Sequence, residues 1–108
     1  MNEKSRSVRR FQKCWYVYIL ASLSGTLYVG QTDNLRKRVA EHKNGLIEGF
    51  TKKYSVNRLM YFETFSDPRM SDKREKQIKK YRREKKITLF TPTNPGWKDL
   101  VDEIRVYL

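Results

Sequence analysis

The sequence predicts one small α+β domain, and three observations point to it. Two runs of aromatic and β-branched residues, 15–21 and 26–32, flank a short turn that contains a glycine. A third such run spans residues 57–66. Two stretches with helical periodicity follow capping residues, one after Asp33-Asn34 and one after Asp67-Pro68. A chain of 108 residues is the size of a single domain.

Residues 1–13 are polar and basic without periodicity, and they read as a flexible basic arm preceding a single domain over residues 14–108. Residues 15–21 read as a buried strand. Ser22-Leu23-Ser24-Gly25 is a turn, and residues 26–32 complete a β-hairpin. Side chains alternate faces along a strand. A register that pairs Tyr18 with Tyr28 gathers Val17, Ile19, Leu27 and Val29 as core. It leaves both tyrosines and the bare backbone of Gly30 on the opposite face.

Asp33 or Asn34 caps a helix that begins near Leu35 and stops at Asn44-Gly45. Leu35, Val39 and His42 form its apolar stripe, with Arg38 beside it and Arg36 and Lys37 pointing outward. Residues 46–56 read as a loop with one irregular turn. After the third strand, Asp67 as cap and Pro68 at the first position open a second helix that is expected to run to about Lys86. Its inward stripe is predicted to be Met70, Arg74, Ile78, Tyr81 and the stem of Lys85. Glu75 falls about 60° from Ile78, at the edge of that stripe. Residues 87–90 either extend the helix or leave it. Residues 97–106 read as a short helix, with Trp97, Leu100, Val101 and Ile104 closing the core.

Charge narrows the function. The net charge is +12, from 24 Lys/Arg against 12 Asp/Glu. Residues 1–13 carry five basic side chains against one acid, and residues 69–86 carry ten against three. An excess gathered in an arm and a helix is the footprint of a nucleic-acid binder. No apolar run is long enough to span a membrane, and no secretory pattern opens the chain. A single cysteine, Cys14, excludes an internal disulfide framework and suits a reducing cytoplasm. One histidine leaves no Cys/His cluster for zinc.

The hairpin and first helix resemble the GIY-YIG nuclease family. Tyr16-Val17-Tyr18 stands where the family has Gly-Ile-Tyr, and Tyr28-Val29-Gly30 where it has Tyr-Ile-Gly. The match continues through Thr32, Asn34, Leu35, Arg38 and His42 to Glu75. The segments 74–80 and 94–100 look like the small single-domain bacterial branch of that family. The resemblance implies a three-stranded antiparallel sheet flanked by helices. It also implies a phosphodiesterase, an endonuclease that works with one Mg²⁺ or Mn²⁺ ion. Tyr18 and Tyr28 match the motif tyrosines, Gly30 the motif glycine, Arg38 the catalytic arginine and Glu75 the metal-binding glutamate. His42 stands where members carry His or Tyr. The pattern departs at Tyr16, at Gln31 (lysine in many repair members), and at Ile87-Thr88, where some members carry asparagine.

Phosphodiester hydrolysis calls for groups of these kinds. Magnesium accepts one or two carboxylates plus water and phosphate, which Glu75 could begin to supply. Arg38 can pair with phosphate oxygens. A nearby cation would ease proton loss from Tyr18, and His42 titrates near neutrality, so either could be the base. Arg36, Lys37, Lys76, Lys79, Lys80 and Arg83 are the candidate nucleic-acid contacts. Each site residue also has a plain structural reading: core aromatics for the tyrosines, a buried structural His42, a Glu75–Lys79 pair along the helix. The expected function is metal-dependent cleavage of DNA, in repair or processing of structured DNA. The alternatives are a non-catalytic nucleic-acid-binding module and, behind it, a protein-interaction domain. RNA is the alternative polymer. Specificity is expected from DNA shape or from a protein partner.

Overall fold

The structure is a computed structural model and describes residues 13–107. The expected arm lies outside them except for Lys13, whose Nζ is 3.3 Å from Asp33 Oδ2. In chain order the elements are β1 (Trp15–Ala21), β2 (Leu27–Thr32), α1 (Leu35–Lys43), α2 (Phe50–Lys53), β3 (Arg58–Phe65), α3 (Pro68–Lys79), α4 (Arg83–Phe90) and α5 (Val101–Tyr107). The strands form one antiparallel sheet in the order β2-β1-β3, as expected. β1 is central, and Val17–Ala21 is almost wholly buried, which explains why its sequence is apolar on both faces.

Each face carries its own core. Val17, Ile19, Ala21 and Val29 pack with Met60, Ile78 and Phe90, under α3 and α4. Tyr16, Tyr18 and Leu20 pack with Leu35, Val39, Leu59 and Ile104, under α1 and α5. The parity of the hairpin is therefore as expected, but its register is not. Tyr18 stands opposite Gly30, and Tyr28 opposite Leu20. The shift is two residues, so no side chain changes face. The observed register requires glycine at position 30: the Tyr18 ring crosses β2 there, and a Cβ would lie 2.5 Å from its hydroxyl.

The caps behave as read. Asn34 Oδ1 accepts from Lys37 N at 3.2 Å, and Asp67 Oδ1 from Arg69 N at 2.9 Å. Such caps are each worth about 0.5–2 kcal/mol. Three expectations are corrected. The second helix does not reach Lys86; α3 ends at Lys79 and α4 starts at Arg83. Arg82 is extended (ψ 160°), which breaks the helix and starts α4 in a new direction; Tyr81 before it accepts from Arg74 Nη1 at its hydroxyl, and Lys85 of α4 lies over its ring. Met70 is not inward but 53% exposed. Ser71 is buried in its place, because its hydroxyl donates to Gln31 Oε1 (2.8 Å) and the Pro68 carbonyl (3.1 Å). Finally, residues 97–100 are not helical. Trp97 has a φ of 56° and rests on Phe90, and Asp99 Oδ1 caps α5 at Val101 N while also accepting from Leu59 N of β3.

Candidate active site

Three of the proposed residues, Tyr18, Tyr28 and His42, meet around one buried hydroxyl. Tyr18 comes from β1, is only 1% exposed, and lies against the edge strand β2 at Gly30. Tyr28 reaches it from β2, the ring centroids 6.4 Å apart. His42 comes from the buried stripe of α1, with its ring 6.0 Å from Tyr18 and 5.7 Å from Tyr28. Its Nε2 is 3.2 Å from the Tyr18 hydroxyl, and its Nδ1 is 3.0 Å from Thr51 Oγ1 of α2. A neutral histidine that accepts from the phenol at Nε2 carries its proton on Nδ1 and donates it to Thr51.

Arg38 sits one turn before His42 on α1, half-exposed, with Nε 3.3 Å from Glu41 Oε1. Its charge acts on both Tyr18 and His42. Glu75 comes from α3, with its side chain 13% exposed and Oε2 3.0 Å from Lys79 Nζ. It is thus at the edge of the buried stripe, as expected, and it makes the helical ion pair as well. Its charge reaches the Tyr18 hydroxyl.

Electrostatics sharpens the roles. Burial, and then the neighbouring Tyr28, raise the Tyr18 pKa well above its usual value; Glu75 adds to this and Arg38 opposes it. Among these side chains alone, burial outweighs Arg38 in setting the Tyr18 pKa. His42 is lowered below its ordinary 6.5, by burial first and by Arg38 second, with Glu41 opposing. At neutral pH the pair is a neutral phenol hydrogen-bonded to a neutral imidazole.

A single half-buried carboxylate limits the metal chemistry. Among the described residues no three His, Cys, Asp or Glu side chains gather into a ligand set. That excludes a preformed protein cage such as a structural zinc site. It fits an ion that keeps most of its ligands as water and phosphate oxygen.

The remaining predicted contacts are placed as follows. Arg36 and Lys37 are exposed on α1 and line a groove with Asn34, Ala40, Val101 and Ile104. Lys80 is exposed after α3. Lys76 pairs with Asp72, Lys79 with Glu75, and Arg83 Nη1 donates to the Gly25 carbonyl at 2.6 Å. Two features were missed from sequence. Thr51 sits in a basic loop with no periodicity to mark it. Gln31, noted only as a departure, ties β2 to the helix that bears Glu75, through Ser71 Oγ and Asp72 Oδ1.

Comparison with known proteins places the chain in a family. The GIY-YIG catalytic domain profile matches residues 14–88. A UPF0213 protein of Clostridium perfringens is 41% identical over 76 residues, covering 70% of this chain and 82% of that one. A UPF0213 protein of Staphylococcus saprophyticus is 36% identical over 76 residues, covering 70% and 93%. The solution NMR structure of a UPF0213 protein from Bacillus halodurans superposes with a TM-score of 0.51 at 26% identity, covering 80% of this chain and 92% of that one. Among the described residues no helix is long and apolar enough to cross a membrane.

Proposed function

The chain belongs to the family of GIY-YIG catalytic domains, and we propose that it is a metal-dependent endonuclease that hydrolyses phosphodiester bonds in DNA. Membership in that family gives a nuclease-like activity and a nucleic-acid substrate. One observation supports the finer reading: Tyr18, Tyr28 and His42 pack around a single buried hydroxyl, and the charges of Arg38 on α1 and Glu75 on α3 act on it.

The chemistry follows from these groups. Arg38 stays charged and its half-exposed guanidinium receives the phosphate. Tyr18 positions the attacking water at its hydroxyl oxygen. As that oxygen takes the water's proton, the phenol's own proton passes along the 3.2 Å hydrogen bond to His42 Nε2. The water oxygen bonds to phosphorus, the bond to the leaving oxygen breaks, and that oxygen takes a proton from solvent. His42 begins neutral because burial and Arg38 disfavour its cation, so it is a competent acceptor at neutral pH. Tyr28 contributes a second contact to the phosphate or the water. Glu75 would hold one Mg²⁺ or Mn²⁺ ion, giving up Lys79 to do so. When bound, that ion supplies charge neutralisation at the phosphate and the leaving oxygen.

The proposal includes a cytoplasmic protein acting in repair or processing of structured DNA, with RNA as the alternative polymer. DNA shape or a protein partner supplies its specificity. A second reading is a nucleic-acid-binding module that does not cut. The Glu75–Lys79 pair and the raised Tyr18 pKa favour it, since both groups are already occupied. Purified protein incubated with plasmid and branched DNA separates the two. Cleavage abolished by chelator and by Arg38→Ala supports the enzyme. Salt-sensitive binding without cleavage on any substrate, in Mg²⁺ or Mn²⁺, supports the module.

A further inference from the structure

An exposed aromatic pair lies one residue from the site, and nothing in the hydrolysis uses it. Phe50 and Tyr54 stand one turn apart on α2 and its C-cap, 47% and 48% exposed, with ring centroids 4.9 Å apart at 51°. Most other large aromatics of the described residues are buried or half-buried in the two cores. α2 is not a loose loop. Thr51, between the pair, is buried and hydrogen-bonded to His42 Nδ1, and Val56 just beyond is fully buried. The inward side of α2 is thus fixed to the site while its outward side presents two rings.

The surroundings identify what the rings meet. Lys53 Nζ lies 5.4 Å from the Tyr54 ring, whereas the half-exposed Lys52 of the same turn is paired with Glu48 at 2.8 Å. A cation beside exposed rings suits a ligand that is anionic along its backbone and aromatic in its side groups. That describes a nucleotide whose base is out of the helix, because a paired and stacked base offers no free face. An apolar protein partner would not call for the lysine, and a duplex backbone would not call for the rings.

We propose that Phe50 and Tyr54 form a stacking platform for an unpaired base next to the scissile phosphate, so that the enzyme selects single-stranded, frayed or flapped nucleic acid over continuous duplex. This rests on the nuclease reading for the word scissile, but the platform itself can be tested without cleavage. Fluorescence anisotropy is measured in chelator with a labelled single-stranded oligonucleotide and with the blunt duplex of the same sequence. The wild type should bind the single strand more tightly. Phe50→Ala and Tyr54→Ala should each weaken single-strand binding by about 5- to 100-fold, the usual range for one stacked base, and change duplex binding less than twofold. Phe50→Trp should restore single-strand affinity. Unchanged circular dichroism checks the fold of each variant.

Equal losses on strand and duplex, no loss on either, or concentration-dependent self-association abolished by the same variants would overturn the platform. The two readings fail separately. Stacking without cleavage when Mg²⁺ is restored contradicts the nuclease and leaves the platform standing. Cleavage with no strand preference does the reverse.

Discussion

Gly30 shows most plainly how one residue shapes the site. Its Cα lies under the Tyr18 ring, and a Cβ there would meet the tyrosine's Oη at 2.5 Å and Cζ at 2.6 Å. Gly30→Ala should therefore displace Tyr18 from His42. Overpacking of this kind costs about 1–3 kcal/mol, readable as a lowered urea midpoint, and cleavage should fall with it. The two proton-bearing groups predict opposite pH limbs. His42 has its pKa lowered from 6.5 on folding, so between the folded value and 6.5 the unfolded chain binds more protons. Stability is full above pH 6.5 and is lost as pH falls through that window. Tyr18 is raised from 10.0, so its contribution is full below pH 10 and is lost as pH rises beyond it. Melting temperatures across pH should show both limbs, with His42→Gln reducing the fall just below pH 6.5 and Tyr18→Phe reducing the alkaline fall, to which the raised Tyr61 and Tyr16 also contribute. Parity alone put Tyr18, Tyr28 and Gly30 on one face. The register was not legible, because a two-residue slip preserves every facing, and the turn hydrogen-bonded from Ser22 to Thr26 has no signature in spacing that fixes it.

At the scale of elements, the question is what holds α3 in place, since it carries Glu75 while packing on the opposite core from Tyr18. Ile78 anchors it by burial, and the Arg74 guanidinium forks onto Glu63 of β3 at 2.8 and 2.9 Å. Gln31 ties it to β2 directly beside Gly30, accepting from Ser71 and donating to Asp72. Gln31→Ala removes two hydrogen bonds, each worth about 1 kcal/mol net. A drop in melting temperature of a few degrees is expected, with a larger loss of cleavage because Glu75 shifts. Full cleavage by a destabilised variant would show that the tie serves stability alone. The caps at Asn34 and Asp67 were readable because Asn and Asp do one local job there. The break between α3 and α4 was not, as it contains neither proline nor glycine and turns on the extended backbone of Arg82. Met70 was misplaced for a related reason: hydrophobicity favoured it, but the hydrogen bonds of Ser71 set the rotation of the helix.

Over the whole molecule, the net charge of +12 sets how it meets its substrate. Affinity for DNA should fall linearly on logarithmic axes as salt rises, with a slope of about 0.9 for each duplex phosphate neutralised. Arg36→Ala, Lys37→Ala and Lys80→Ala should each flatten that slope more than Lys76→Ala, because Lys76 already pairs with Asp72. Equal slopes across all four variants would contradict this division. The fold and the family were legible in the chain because an ordered motif spans most of it, and the same motif nominates the five candidate site residues. The chemistry among them was less so: the depth of Tyr18, which raises rather than lowers its pKa, and the link through His42 to Thr51 both depend on packing that no spacing records. The central claim is that these five side chains form one hydrolytic site with Glu75 as its metal ligand. Single-turnover cleavage of a branched DNA by Glu75→Gln, beside the wild type in Mg²⁺, tests it most directly. A fall of at least about 100-fold, in the range for losing one key charge-stabilising group, with DNA binding unchanged, is the expected result. Cleavage at the wild-type rate by folded Glu75→Gln would contradict it.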